Sequence, residues 1–178
     1  MEDIAATAGI AVGTVYNYFE DRRALVGALL ETRTKGLLGA LDAPAPPLPG
    51  AGTPRGRKNA RETFEAELAH FVTTLAAHFD ANRFLLRVLV EEEQHRGVDA
   101  RSATRRRSAL DSLMGRAETL MAAGLRARVL RRDDAATYAA LLVGMIRGVA
   151  REALRRRHEF AAGDAASIVR VFLNGAAR

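Results

Sequence analysis

Apolar positions along the chain recur at spacings of three and four, without sustained alternation of period two, so the pattern predicts helices and no sheet. Two short apolar segments open the chain, at residues 4–8 and 12–19, with Gly9 between them. Asp21 stands as the N-cap of a third helix reaching about residue 41, whose apolar positions are Leu25, Ala28, Leu29, Leu37, Leu38 and Leu41. Beyond residue 60, Phe64, Leu68, Phe71, Leu75 and Phe79 share one face of an amphipathic helix. Phe84, Leu85, Val88 and Leu89 mark the next, which is expected to end near Gly97. Another spans about 99–123 and presents Leu110, Leu113, Met114, Ala117, Leu120 and Met121, with Gly124 as its stop. Asp133 or Asp134 caps a long helix over about 135–157, and a last helix after Gly163-Asp164 carries Ile168, Val169, Phe172 and Leu173.

One segment breaks the pattern. Residues 42–59 hold all five prolines and offer little to bury, so they read as a flexible linker. The chain therefore divides into a small unit at 1–41 and a larger helical body at 60–178. The expected fold class is all-α, a helix-turn-helix unit joined to a helical bundle.

Composition narrows the chemistry. Of 178 residues, 48% are hydrophobic, enough for a sizeable core. Cysteine is absent, which excludes disulfides, thiolate metal sites and a cysteine nucleophile and fits a cytoplasmic protein. No apolar run approaches the ~20 residues of a membrane span, so no membrane partner is expected. The net charge of +6 makes an anionic partner plausible. That charge is unevenly placed. Residues 1–23 set Glu2, Asp3, Glu20 and Asp21 against Arg22 and Arg23, while Arg101, Arg105, Arg106, Arg107, Arg126, Arg128, Arg131 and Arg132 lie further on.

A short helix, a glycine turn and a second short helix over residues 2–22 make a helix-turn-helix. Gly9 suits a turn position of positive φ. Ile4, Ala5, Val15 and Phe19 are placed to pack the two helices together, leaving Gly13, Thr14, Tyr16, Asn17 and Tyr18 on the outer side. Hydroxyl and amide groups there suit phosphates and base edges. The string from Ile4 to Leu25, through Ala8-Gly9-Ile10-Ala11-Val12-Gly13-Thr14-Val15-Tyr16-Asn17-Tyr18-Phe19, closely resembles the DNA-binding signature of the tetracycline-repressor (TetR) family.

The resemblance implies a transcriptional regulator that binds a double-stranded DNA operator as a homodimer and answers to a small apolar effector. It implies that Gly13 lets the recognition helix approach the DNA backbone. Thr14 and Tyr16 would contact phosphates or bases, Tyr18 a phosphate, and Arg22 a phosphate at the start of the third helix, aided by the helix dipole. Val12 and Asn17 stand where sequence readout varies within the family. This sequence departs from the family in having Ala11 for serine, which removes a side-chain N-cap, and Arg22 for lysine. The family's first helix also has no counterpart, from which roughly 20–25 further residues are expected ahead of Met1.

In the larger unit the resemblance implies an effector cavity. Its candidate lining is Phe71, Leu75, Phe84, Val88, Leu113 and Met114, with Arg87, Glu92, His95 and Tyr138 as polar groups; a mostly apolar site with a few polar groups is the usual form. Metal is not expected. His70 and His78 are two helical turns apart, and Glu91 with His95 supplies only two ligands. No cofactor is expected either. The last two helices are expected to build a twofold dimer, with Gly144 and Gly148 letting a partner helix approach and Leu141, Met145, Val149, Ile168, Val169 and Phe172 filling the interface. No nucleophile with an adjacent base and no phosphate loop occurs, so enzymatic activity is not expected. The alternative is a helical ligand-binding or interaction module without DNA binding.

Overall fold

The N-terminal helices form where the apolar pattern places them. A computed structural model describes residues 1–45, 60–84, 87, 100–160 and 162–176. Helix α1 spans Glu2–Ala8, α2 Val12–Tyr18 and α3 Arg22–Leu41. Gly9 closes α1 in the left-handed conformation, φ 67°, which costs glycine little. Its N–H donates to the Ala6 carbonyl at 3.2 Å and that of Ile10 to Ala5 at 3.1 Å, satisfying two end carbonyls of the helix. Asp21 caps α3, its carboxylate accepting from the Ala24 N–H at 2.7 Å.

Among the described residues four further helices lie in the body: α4 (Ala60–Ala81), α5 (Ala100–Arg126), α6 (Ala135–Arg156) and α7 (Ala162–Ala176). Among the described residues there is no strand; only the Arg131 N–H reaches across to the Ala176 carbonyl, at 2.9 Å. Helix α4 is central and packs on α3, α5, α6 and α7. Its buried stripe of Phe64, Leu68, Phe71, Val72, Leu75 and Ala76 follows the expected spacing. Leu113, Ala117 and Met121 meet it from α5, and Leu142, Val143 and Ile146 from α6. Each fully buried leucine or isoleucine there contributes roughly 1.5–3 kcal/mol. Of the two candidate caps, Asp134 is the one that holds α6, accepting from the Thr137 N–H at 3.2 Å.

Gly124 is not the stop of α5. The helix runs two residues past it, and Arg128 takes the left-handed position, φ 57°. The reason is tertiary. A Cβ on Gly124 would lie 2.6 Å from the Phe64 ring, so the glycine makes room for α4. Arg157 closes α6 in the same way, φ 60°. Of the expected helix near residues 84–97 only Phe84 and Arg87 are described, both helical; the rest of it, and the linker from residue 46 to 59, lie outside the described residues.

Helix α3 joins the two units. Its second half belongs to the body, where Leu37 lies in the main core and Leu41 packs against it. Its first half carries only Val26 buried, with a surface Glu31–Lys35 pair at 3.2 Å.

Candidate DNA-binding interface and effector cavity

The recognition surface is built by exclusion. Ala5 of α1 and Val15 of α2 are buried against each other's helices, and Ile4 and Phe19 are half-buried beside them. At 3.6 residues per turn this turns Gly13, Thr14, Tyr16 and Asn17 outward. Tyr16 is 53% exposed and Tyr18 79% exposed, large values for aromatic side chains. Val12, Thr14, Asn17 and Arg22 are exposed as well. Beyond the neighbouring residues and the backbone of α2 itself, nothing of the protein lies within 4 Å of where a Cβ on Gly13 would stand, so the start of α2 is open to an approaching surface. Ala11 precedes α2 in extended conformation without a side-chain cap. The Thr14 N–H donates to the Ala11 carbonyl at 2.9 Å, so the first turn is closed by backbone alone. All seven residues named for DNA contact are thus exposed, six of them on α2 and Arg22 at the start of α3.

The residues named for the effector do not share one cavity. Phe71, Leu75, Leu113 and Tyr138 are buried in a single packed core, with Met114 partly buried against it. The Tyr138 ring meets Phe172 edge-on at 6.0 Å, and its hydroxyl donates to the Arg131 carbonyl at 3.3 Å. Phe84 is 61% exposed, with the guanidinium groups of Arg83 and Arg87 over its ring at 5.1 and 5.7 Å. Val88, Glu92 and His95, with Glu91, lie outside the described residues.

A cavity of about 600 Å³ lies elsewhere, at the junction of α3, α4 and α5. Leu41, Phe71, Leu120 and Ala123 supply apolar wall; Asp42, His70 and Arg116 supply polar wall. Of the candidate effector residues that are described, only Phe71 lines it. Asp42 and Arg116, both in its wall, form a two-pronged ion pair, Arg116 Nε to Oδ1 at 2.8 Å and Nη2 to Oδ2 at 2.7 Å. That hydrogen bonding holds the Asp42 carboxyl below its ordinary range and raises Arg116 further. His70 Nε2 donates to the Ala40 carbonyl at 3.2 Å, a second tie between α4 and the end of α3. These ties went unseen in the sequence because Asp42 read as the first linker residue and Arg116 stands 74 positions away.

The dimer candidates also divide. Gly144 and Gly148 are exposed with open space above them, Met145 and Val149 are half-buried, and Leu141 is 56% exposed on the same face of α6. Ile168 and Phe172 are a correction. They point into the subunit's own core, where Phe172 packs on Tyr138, and are not available to a partner. Val171 is the exposed apolar residue of α7. Among the described residues no helix is long and apolar enough to cross a membrane, and no group of three His, Asp or Glu side chains is placed to hold a metal ion.

The fold and the site define a class, an all-helical protein with an N-terminal helix-turn-helix on a larger helical body. Residues 1–29 match the family described as bacterial regulatory proteins, tetR family. No curated protein matches the chain by sequence. Among solved structures the chain is similar to the MbdR regulator from Azoarcus sp. CIB, at 24% identity and TM-score 0.71, covering 98% of this chain and 86% of that one. It is similar to the transcriptional regulator FadR from Bacillus subtilis in complex with stearoyl-CoA, at 15% identity and TM-score 0.68, covering 98% and 87%. It is also similar to NemR of E. coli in its reduced form, at 16% identity and TM-score 0.66, covering 99% and 86%. Residues 1–29 thus resemble the tetR family, and the whole chain has the fold of these solved regulators.

Proposed function

We propose that this DNA-binding regulator is a repressor that grips its operator as a twofold dimer and lets go when a small effector with an apolar portion enters the body. The observation that carries the reading is the outer face of α2, where Tyr16 and Tyr18 stand open to solvent while Val15 anchors the helix from behind. In a major groove, Thr14, Tyr16 and Tyr18 would hold phosphates, and Val12 and Asn17 would meet base edges. Gly13 leaves room for the DNA backbone. Arg22 would reach a phosphate beside the N-terminus of α3.

Half-sites lie about 34 Å apart, one turn of duplex, so two recognition helices must be held at a set separation. The open stripe of Leu141, Gly144 and Gly148 on α6, with Val171 on α7, is the surface proposed to meet a second copy. Helix α3 is the lever. An effector that binds better to the wrong separation empties the operator by population shift. An apolar effector portion is supported by the similar FadR structure, which holds stearoyl-CoA.

The test is selection of bound fragments from random duplex DNA, followed by anisotropy titration with wild type and Tyr16→Ala. Wild type is expected to enrich an inverted repeat, and Tyr16→Ala to lose affinity for it roughly tenfold or more at unchanged melting temperature. Equal binding by the variant, or no enriched sequence, contradicts the proposal and leaves a helical ligand-binding module.

A further inference from the structure

The geometry points to the Asp42–Arg116 pair as a latch that a carboxylate ligand opens by taking the place of Asp42 in the Arg116 fork, with the apolar part of the ligand in the junction cavity. This deepens the effector reading above, and rests on it for its consequence at DNA but not for binding itself.

Three observations carry it. First, Asp42 already shows what Arg116 accepts, a carboxylate bound through both oxygens at 2.8 and 2.7 Å. A guanidinium fork matches a planar carboxylate and does not match an amide or a cation. Second, the pair is lopsided. The Asp42 side chain is 59% exposed and that of Arg116 30%. Arg116 is further steadied by NH1 donating to the Ser112 carbonyl at 3.3 Å. On exchange Asp42 returns to water at little cost, while the arginine stays where it is. Third, the fork stands in the wall of an open cleft of ligand size, about 600 Å³, with Leu41, Phe71 and Leu120 also in its wall. The remaining charged groups at the cavity are Glu67 and Arg126, one of each sign, with His70 beside them, so the fork is where an anion gains most.

The consequence follows from where Asp42 sits. It is the C-cap residue of α3, and α3 begins one turn after the recognition helix. While the latch is closed, the far end of α3 is tied to α5. Once the ligand has taken Arg116, this end of α3 keeps the packing of Leu37 and Leu41 and the bond from His70 to the Ala40 carbonyl, but loses its ion-pair tie to α5, which lowers the cost of a tilt. Arg116 is thus a specificity residue for the effector, and Asp42 its built-in competitor.

Calorimetry of the full chain, without DNA, with octanoate and its uncharged isostere octanamide tests this directly. Wild type is expected to bind octanoate, and octanamide roughly tenfold or more weakly. Arg116→Gln is expected to lose that preference. Asp42→Asn is expected to bind octanoate several-fold more tightly than wild type, because the competitor is gone. Opposite effects from the two partners distinguish a ligand-exchanged latch from a structural ion pair, whose two halves would act alike. No octanoate binding, equal binding of the amide, or weakened binding in both variants overturns the proposal. In a second arm octanoate is added to the protein on its selected DNA. Release supports the latch, and retention of DNA by octanoate-bound protein overturns its switching role. Failure of the ligand-free protein to bind any DNA overturns the regulator reading alone, since the calorimetric result stands without it.

Discussion

The helical body buries Leu68, Val72, Leu75, Met121, Leu142 and Ile146 almost completely, whereas the N-terminal unit buries only Ala5, Val15 and Val26 and leaves Ile10, Val12, Tyr16, Tyr18 and Leu29 open. The body is held by apolar burial spread over four helices. The N-terminal unit is held by a few local devices: the Gly9 turn, the Asp21 cap and one small contact between α1 and α2. The difference teaches that the small unit is organised around its surface. It spends large side chains on the outside, where a partner can meet them, and keeps its shape through backbone geometry. Helix α3 belongs to both regimes, which is why its two ends behave differently.

Substitutions that separate the two regimes sharpen the contrast. Leu68→Ala should cost about 2–5 kcal/mol and lower the urea midpoint of the whole chain. Val15→Ala removes much less, about 1.5 kcal/mol, and its effect should stay local. Hydrogen exchange is expected to quicken in α1 and α2 while the body keeps its protection. A body that loosens equally in Val15→Ala breaks the comparison. Next in size is Gly124→Ala. Its methyl must push the Phe64 ring, 2.6 Å away, so about 1–3 kcal/mol should be lost in thermal denaturation despite the better helix propensity of alanine. If stability rises instead, α4 and α5 are not as closely packed as described.

Smaller again is the missing cap on α2. Ala11→Ser should gain about 1 kcal/mol of local stability, seen as slower exchange at the N–H groups of Thr14 and its neighbours. The smallest effect expected is that of pH at His78. Burial, and then the charge of Arg33, lower its pKa below the ordinary 6.5. The folded state therefore favours the neutral ring. The contribution is complete above pH 6.5 and is lost as pH falls below it, when the unfolded chain takes up the proton first. His78→Gln should flatten the decline of the urea midpoint between about pH 7 and 5. An unchanged slope places the titration elsewhere.

What could be read in the sequence was what local geometry decides. The Gly9 turn, the Asp21 cap and the outward face of α2 all depend on residues within a few positions of one another, and each stands where its spacing placed it. Gly124 misled because a glycine near a helix end suggests a stop, while here the Phe64 ring from another helix explains it. Ile168 and Phe172 misled for a related reason. An apolar helix face does not say whether its own subunit or a partner covers it, and only the Tyr138 contact settles the matter. The junction cavity was illegible because its key pair spans 74 positions and half of it sits at the edge of a proline-rich segment. The core positions of α4 were readable; that Leu75, Leu113 and Tyr138 would close on one another was not.

If the exposed face of α2 enters a major groove in two copies, two stretches of duplex one turn apart are covered. Hydroxyl-radical footprinting on a selected DNA fragment asks this most directly. Two protected tracts related by a twofold axis, centred one helical turn or a whole multiple of it apart, are expected, both lost in Tyr16→Ala. A single tract, or uniform protection that the substitution does not change, would contradict it.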